Sequence, residues 1–377
     1  MAKCSSLSKK ISDAIHDRGP LTVAAFMDLA LYDPELGYYA RAAQRTGRAG
    51  DFFTSVDVGA IFGRLLEIQI AEMWVALGRG VFDLVEAGAG NGRLSADILR
   101  AAKQRESFYD DVRLHLVEAS AAARAAQRGV LDDVAGALTS SSDQLPEAFE
   151  GVLIANELLD ALPVHQVVMR EDGLREVYVT GLASTTTAPL STPALDAYLD
   201  RVGVRLEPGW VAEINLRAVE WMRETSRRLR RGFIVIIDYG HDARELYSVT
   251  HSAGTLTTFA DHHSEGPESS NQTPGWLRRP GEQDITAHVD FTSIRNAAEA
   301  EGLTTIGFLD QTYFLIGLVQ SLASSDNLEN PENLKLRLAL RTLMMPGGLG
   351  STHKVLILGK GVGRPALSGC SFRMRVT

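Results

Sequence analysis

Residues 86–92 read Glu-Ala-Gly-Ala-Gly-Asn-Gly, a carboxylate at the end of an apolar run followed by glycines at every second position. Glycines let a ligand approach the backbone closely, and the N–H groups at a helix start attract an anion or the polar end of a ligand. A dinucleotide turn has the spacing G-x-G-x-x-G. Gly88 and Gly90 fit it, but Arg93 holds the third position and the glycine stands at Gly92. That departure counts against NAD. An acid-G-x-G-x-G turn suits S-adenosyl-L-methionine, which carries no phosphate and whose sulfonium is a fixed cation that Glu86 complements. A second acid, Glu118 in "LHLVEAS", ends the next apolar run and suits a grip on two ribose hydroxyls. A glycine turn serving packing alone is the alternative, and Glu118 weighs against it.

Further along, "VLIANELLDALP" places Asn156 and Glu157 where a strand leaves the sheet, with Asn156 on the cofactor side. In open α/β sheets, ligands sit beyond the carboxyl ends of the strands. Glu157 and Asp160 suit a cationic acceptor, because guanidinium is planar, always protonated and matched to carboxylates. Asp160 has an alternative role, capping the turn before Pro163. "FIVIIDYG" brings Asp238 and Tyr239 to the same kind of strand end, as acceptor-side groups or as structural caps. In "DITAHVDF", His288 and Asp290 can act as a base and its orienting partner, or His288 can simply be satisfied by loop backbone. The "DHH" run at 261–263, with His241 and His251 nearby in sequence, matches no zinc spacing, so no metal is expected.

Positioning these residues requires parallel strands. Short apolar runs at Val81–Glu86, Val112–Glu118, Gly151–Asn156, Phe233–Tyr239, Leu303–Phe308 and Lys354–Leu358 alternate with helical patterns. Continuous runs of this kind belong to strands covered on both faces, and the alternation predicts a doubly wound sheet. A helix is expected from Ala60 to Leu77, capped by Ser55 or Asp57. Residues 164–212 alternate polar and apolar as an antiparallel hairpin insertion would, and residues 241–290 read as a long polar loop that would serve as a lid.

The 377 residues are 45% hydrophobic and 23% charged, enough for one elaborated domain or two. The formal charge of −9 disfavours a nucleic-acid partner, and the basic run "RETSRRLRRG" at 223–232 reads as a solvated helix face ending at a glycine. Cys4 and Cys370 lie far apart without metal spacing, as free thiols of a reducing cytosol would. The N-terminal stretch lacks the apolar core of a secretory signal and is not Arg-rich, and no run is long enough to span a membrane. A cytoplasmic protein is expected.

The motifs "YDPELGYY", "GDFFTS", "FGRLLE", "VEAGAGNGRL", "NELLDALPV", "IDYG", "GTL", "GEQDITAHVDF" and "HKVLIL" occur in this order across nearly the whole chain. With them the chain resembles the MidA-like family of methyltransferases, which includes a mitochondrial respiratory complex I assembly methyltransferase. The resemblance implies an α/β class I methyltransferase fold, Rossmann-like with a mostly parallel seven-stranded sheet. It also implies S-adenosyl-L-methionine as donor and arginine of a protein, such as a complex I subunit, as acceptor; it leaves a homodimer open. The expected division is a helical N-terminal extension (1–80), the first half of the cofactor-binding core (81–163), a β-rich insertion (164–212), the rest of the core with the 241–290 insertion (213–360) and a flexible tail (361–377). Two departures are the long link containing "GWLRRP" and the tail "GRPALSGCSFRMRVT". Two other activities stay open: methylation of a small molecule at oxygen or carbon with His288 or Tyr239 as base, and a cofactor-binding assembly factor with little turnover.

Overall fold

The apolar runs become strands β1 (Phe82–Ala87), β2 (Val112–Val117), β4 (Phe149–Asn156), β5 (Leu229–His241), β6 (Thr304–Asp310) and β7 (His353–Lys360), joined at one edge by β3 (Leu138–Ser142). This computed structural model describes residues 6–42, 54–260, 263–267, 273–323, 334–344 and 352–372. Strand order is β6-β7-β5-β4-β1-β2-β3, and only β7 runs antiparallel to its neighbours. All six residues of β1 are buried, as are Phe233–Ile237 of β5. Fully burying a side chain of this size contributes about 1.5–3 kcal/mol, so the central strands dominate this core. Helices Ile61–Ala76, Arg93–Ala102 and Gln311–Ala323 supply Leu65, Leu66, Ile98, Leu99, Phe314 and Leu318 to it. Where β5, β4 and β1 begin, a Cβ on Gly232 would lie 1.9 Å from the Gly151 carbonyl oxygen, and one on Gly151 would lie 2.0 Å from that of Asp83. Only glycine lets these three backbones meet there.

The chain forms two compact units. The sheet unit comprises Phe53–Leu158, Arg223–Tyr239 and Ala298–Thr377; the other comprises Met1–Phe52, Leu159–Met222 and Gly240–Ala297. The expected helical extension over 1–80 therefore divides. Helices Ser6–Arg18 and Val23–Tyr32 belong to the second unit, whereas Ile61–Ala76 belongs to the first.

In the second unit the anticipated hairpin is present as strands His165–Arg170, Gly173–Gly181 and Ser184–Ala188, with Val211–Ile214 and Leu21–Thr22 on its flanks. The region read as a polar loop folds instead. Strands Thr257–Ala260, His263–Glu265 and Asp284–Thr286 form a small antiparallel sheet, and Gly240 and His241 pair in parallel with Val289 and Asp290. Trp276, Leu277 and Ile285 from this region join Leu7, Phe26, Val168 and Val179 in one core, where Trp276 meets Phe26 edge-on at 5.6 Å.

Three smaller expectations also change. The tail is docked through its described residues: Leu367 is buried, the Ser368 backbone donates to Glu72 and the Gly369 backbone to Gln69. The basic run leaves its helix at Arg228, and Gly232 lies inside β5; Arg227 pairs with Glu301, and Arg231 with Glu150. The helix Ile61–Ala76 starts without a side-chain cap, while Asp57 instead accepts from the backbone and hydroxyl of Thr54. Cys4, most of "GDFFTS" and the first two residues of "DHH" lie outside the described residues. Among those described, no helix is long and apolar enough to cross a membrane.

Candidate active site

The turn after β1 is built by its glycines. Gly88, Gly90 and Gly92 have φ of 71°, 50° and 81°, the left-handed region that other residues avoid. Gly88 and Ala89 donate to the Val117 carbonyl at 2.9 and 3.1 Å, and Gly92 caps the helix Arg93–Ala102. A Cβ on Gly90 would meet no atom within 4 Å, so open space lies beside the backbone there. Glu118, just past β2, accepts from Gly90 N at 2.8 Å and from Ser120 N at 2.7 Å. Each carboxylate oxygen has a further acceptor site. Buried Gln127 donates to the Gly90 carbonyl at 2.9 Å and accepts from Ser141 at 2.6 Å, a support for the turn that its position mid-helix did not reveal.

Glu86 points at the start of the following helix, where its carboxylate accepts from the Ser95 backbone and hydroxyl. Burial raises its pKa to about 7, against the hydrogen bonds from Ser95 and with a further push from the charge of Glu118. A carboxyl poised there ionises readily beside a cation. Space next to Gly90, an acid after β2 and a second acid sensitive to positive charge fit S-adenosyl-L-methionine and offer no pyrophosphate cradle of the dinucleotide spacing.

A second group gathers at the carboxyl ends of β4 and β5. Glu157 has φ of 51°, unusual for a residue with a side chain, and its backbone N–H donates to Ile237 O at 2.8 Å. Its Oε1 accepts from Asn156 Nδ2 at 3.3 Å and Ser55 N at 3.4 Å, and lies 3.5 Å from His353 Nε2. The side chain is only 9% exposed. Asn156 Oδ1 is buried with no hydrogen-bond partner among the described residues. Asp238 is fully buried and accepts from Leu158 N at 3.1 Å and Tyr239 N at 2.8 Å, so it fixes the backbone just after Glu157. Tyr239 packs against His353 with ring centroids 3.8 Å apart and the rings tilted by 43°. Asn156, Glu157, Asp238 and Tyr239 are thus brought together as their strand-end positions imply.

Sequence reasoning missed Ser55, Gln311 and His353. Ser55 and Gln311 are fully buried and bonded to each other at 3.2 Å. His353 opens β7, where the antiparallel direction carries the start of a strand to the ends of its neighbours. The "HKVLIL" motif contained it, but that reversal is invisible without topology.

Asp160 and His288 belong to the second unit. The Asp160 carbonyl accepts from Ala287 N at 2.9 Å, and its charge, with that of Asp284, adds to burial in raising the pKa of Tyr39. His288 and Asp290 do not form the base and orienting partner expected. Asp290 accepts from Tyr198 Oη at 2.8 Å and caps Thr292 N and Ser293 N, while His288 groups with His241 and His251.

A family described as "Putative S-adenosyl-L-methionine-dependent methyltransferase" matches residues 65–309. The mitochondrial protein arginine methyltransferase NDUFAF7 of Rattus norvegicus is 31% identical over 334 residues, spanning 80% of this chain and 71% of that one. Its Homo sapiens counterpart is 32% identical over 340 residues, spanning 80% and 70%. A Burkholderia thailandensis protein solved with bound S-adenosyl-homocysteine is 29% identical, with a TM-score of 0.85 over 97% of this chain and 94% of that one. The expectation of a cytoplasmic protein is overturned by these relatives, whose names place them in mitochondria. The glycine turn, the acid after β2 and the matches across most of the chain lead to one conclusion: the chain belongs to the S-adenosyl-L-methionine-dependent methyltransferase family that its MidA-like motifs implied.

Proposed function

We propose that the chain methylates an arginine side chain of a protein, with a respiratory complex I-type subunit as the acceptor that the family resemblance implies. The observation that carries the reading is Glu157, a nearly buried carboxylate on a strained backbone at the end of β4. Relatives named as protein arginine methyltransferases support it. When bound, S-adenosyl-L-methionine supplies an electrophilic methyl group on a sulfonium. Glu118 and the Gly90 backbone hold the ribose side, and Glu86 favours the cationic donor. Asn156 Oδ1 accepts an N–H from donor or acceptor.

Glu157 addresses a difficulty specific to guanidinium, whose nitrogen lone pairs are delocalised over the cation. Its carboxylate, hydrogen-bonded to two N–H groups, draws positive charge to one side and leaves the third nitrogen aimed at the methyl group. That nitrogen would take the methyl group of bound S-adenosyl-L-methionine, the sulfur keeping the bonding pair, and the nitrogen's proton would leave to solvent, since Glu157 holds the other two N–H groups. His353 and the Ser55 backbone hold the carboxylate in place, and Asp238 locks the chain behind it. Asp160 and His288 carry no step in this reading.

The test is transfer of a labelled methyl group by the purified chain onto mitochondrial protein extract, followed by hydrolysis and amino-acid analysis. Label in methylarginine is the expected result. Label only in small molecules, or in other amino acids, overturns the arginine assignment.

A further inference from the structure

Three histidines distant in sequence meet in the second unit. His241 ends β5, His251 closes a single 3-10 turn (Val249–His251), and His288 precedes the short strand Val289–Asp290. Each offers a ring nitrogen such that the three atoms lie within 4.8 Å of one another. Ring centroids are 4.9 Å apart for His241 and His251, 5.3 Å for His241 and His288, and 5.7 Å for His251 and His288.

What surrounds the rings selects which nitrogens face inward. His251 Nδ1 lies 3.1 Å from the Glu245 carbonyl oxygen, and His241 Nδ1 lies 3.1 Å from the carboxylate of the same residue. Histidine ligands characteristically turn one ring N–H to a carbonyl or carboxylate, which fixes the tautomer and leaves the other nitrogen for a metal. The Glu245 carbonyl plays that part for His251, leaving its Nε2 for an ion. His288 Nδ1 is buried with no hydrogen-bond partner among the described residues, a costly state for a polar atom unless something bonds to it.

We propose that His241, His251 and His288 bind one first-row transition metal ion, with Zn2+ the natural fit, through three imidazole nitrogens and one position left to water. Imidazole suits zinc, copper, iron and nickel, and three protein ligands with one open position is a recurrent zinc arrangement. Zn–N bonds of about 2.1 Å would put donor atoms about 3.4 Å apart in a tetrahedron, within reach of modest ring rotations from the present spacing. The ion ties the end of β5 to two segments of the 241–290 region. Lysine, arginine and carboxylate side chains supply none of its ligands, so hard ions such as Mg2+ and Ca2+ are excluded by donor type.

Direct metal binding tests the site independently of methyl transfer. The full chain, stripped with chelator, is titrated with ZnCl2 by calorimetry and with CoCl2 by visible absorption. Expected are one ion per chain with Kd in the micromolar range or tighter, and a Co2+ band from nitrogen ligation. H251A and H288A should each weaken binding at least tenfold, whereas H263A, on an exposed histidine outside the cluster, should not change it. Thermal unfolding provides a second readout: saturating Zn2+ should raise the Tm of the unaltered chain but not that of H251A, whose ring is partly exposed and whose fold is expected to survive. Equal Zn2+ affinity in the unaltered chain and H251A, or no binding by either, overturns the proposal.

Discussion

The sheet unit and its partner unit solve the same problem, holding reactive side chains still, by opposite means. In the sheet unit, neighbouring strand ends supply the groups: Glu118 follows β2, Asn156 and Glu157 end β4, and Asp238 and Tyr239 lie near the end of β5. Backbone hydrogen bonds along the strands fix each of them, so one apolar run and one turn place each residue. In the other unit, the histidine cluster, the half-buried Tyr39–Asp284 pair and the buried Tyr198–Asp290 pair join residues from segments tens to hundreds of positions apart. A site of the first kind tolerates change in distant segments. One of the second kind depends on the packing of every segment it gathers.

Trp276→Ala should break that dependence most severely. Trp276 fills the second unit's core against Phe26, and its loss should cost roughly 3–5 kcal/mol. Hydrogen exchange should rise first in residues 6–42 and 284–297, before β1 and β4. Simultaneous loss of protection throughout would erase the contrast. Next in size, Glu157→Gln keeps the shape of the side chain but removes its charge, and turnover should fall at least ~100-fold with little change in cofactor affinity. Methyl transfer at saturating donor measures it, and near-normal turnover would sink the carboxylate clamp. Gly90→Val forces a branched side chain to φ of 50° and into the open space beside the turn. A strain of about 1–3 kcal/mol predicts roughly 10-fold or greater loss of S-adenosyl-L-methionine affinity by calorimetry.

The smallest effect is a pH dependence. Burial and the charge of Glu118 raise the pKa of Glu86 from 4.5 to about 7. Between those values the folded chain holds a proton that the unfolded chain has lost, so this group's contribution to stability falls as pH rises through the window. Glu86→Gln should flatten that slope in Tm measurements. Since ionised Glu86 favours a sulfonium, affinity for S-adenosyl-L-methionine should rise severalfold from pH 6 to pH 8, while that for the uncharged-sulfur product stays flat. Parallel slopes for both ligands would place Glu86 away from the sulfur.

The same contrast decides what could be read from sequence. Six of seven strands were visible as apolar runs, because burial on both faces leaves no alternative composition. The seventh, Leu138–Ser142, is "LTSSS", an edge strand whose alternate residues face solvent, and it resembles a loop. The glycine turn and Glu86 stood out as one short motif, and Glu118 as the acid that ends the next apolar run. Gln127 and His353 were not, since each acts through a partner that only the fold brings near. The polar 241–290 region hid four short strands among its described residues: its apolar residues are few, and Trp276, Leu277 and Ile285 find their core with helices near the start of the chain. The histidines escaped for the same reason, since 10 and 37 positions separate them, spacings with no local meaning.

The backbone angle at Glu157 has an evolutionary consequence. A side chain at φ of 51° is a standing cost that glycine would relieve, and asparagine would lessen. In the proposed mechanism, stability and methyl transfer therefore make opposing demands on this codon. In a library selected for heat resistance alone, position 157 should drift to glycine or asparagine; under selection for product formation, glutamate should return and the lost stability be recovered at other positions.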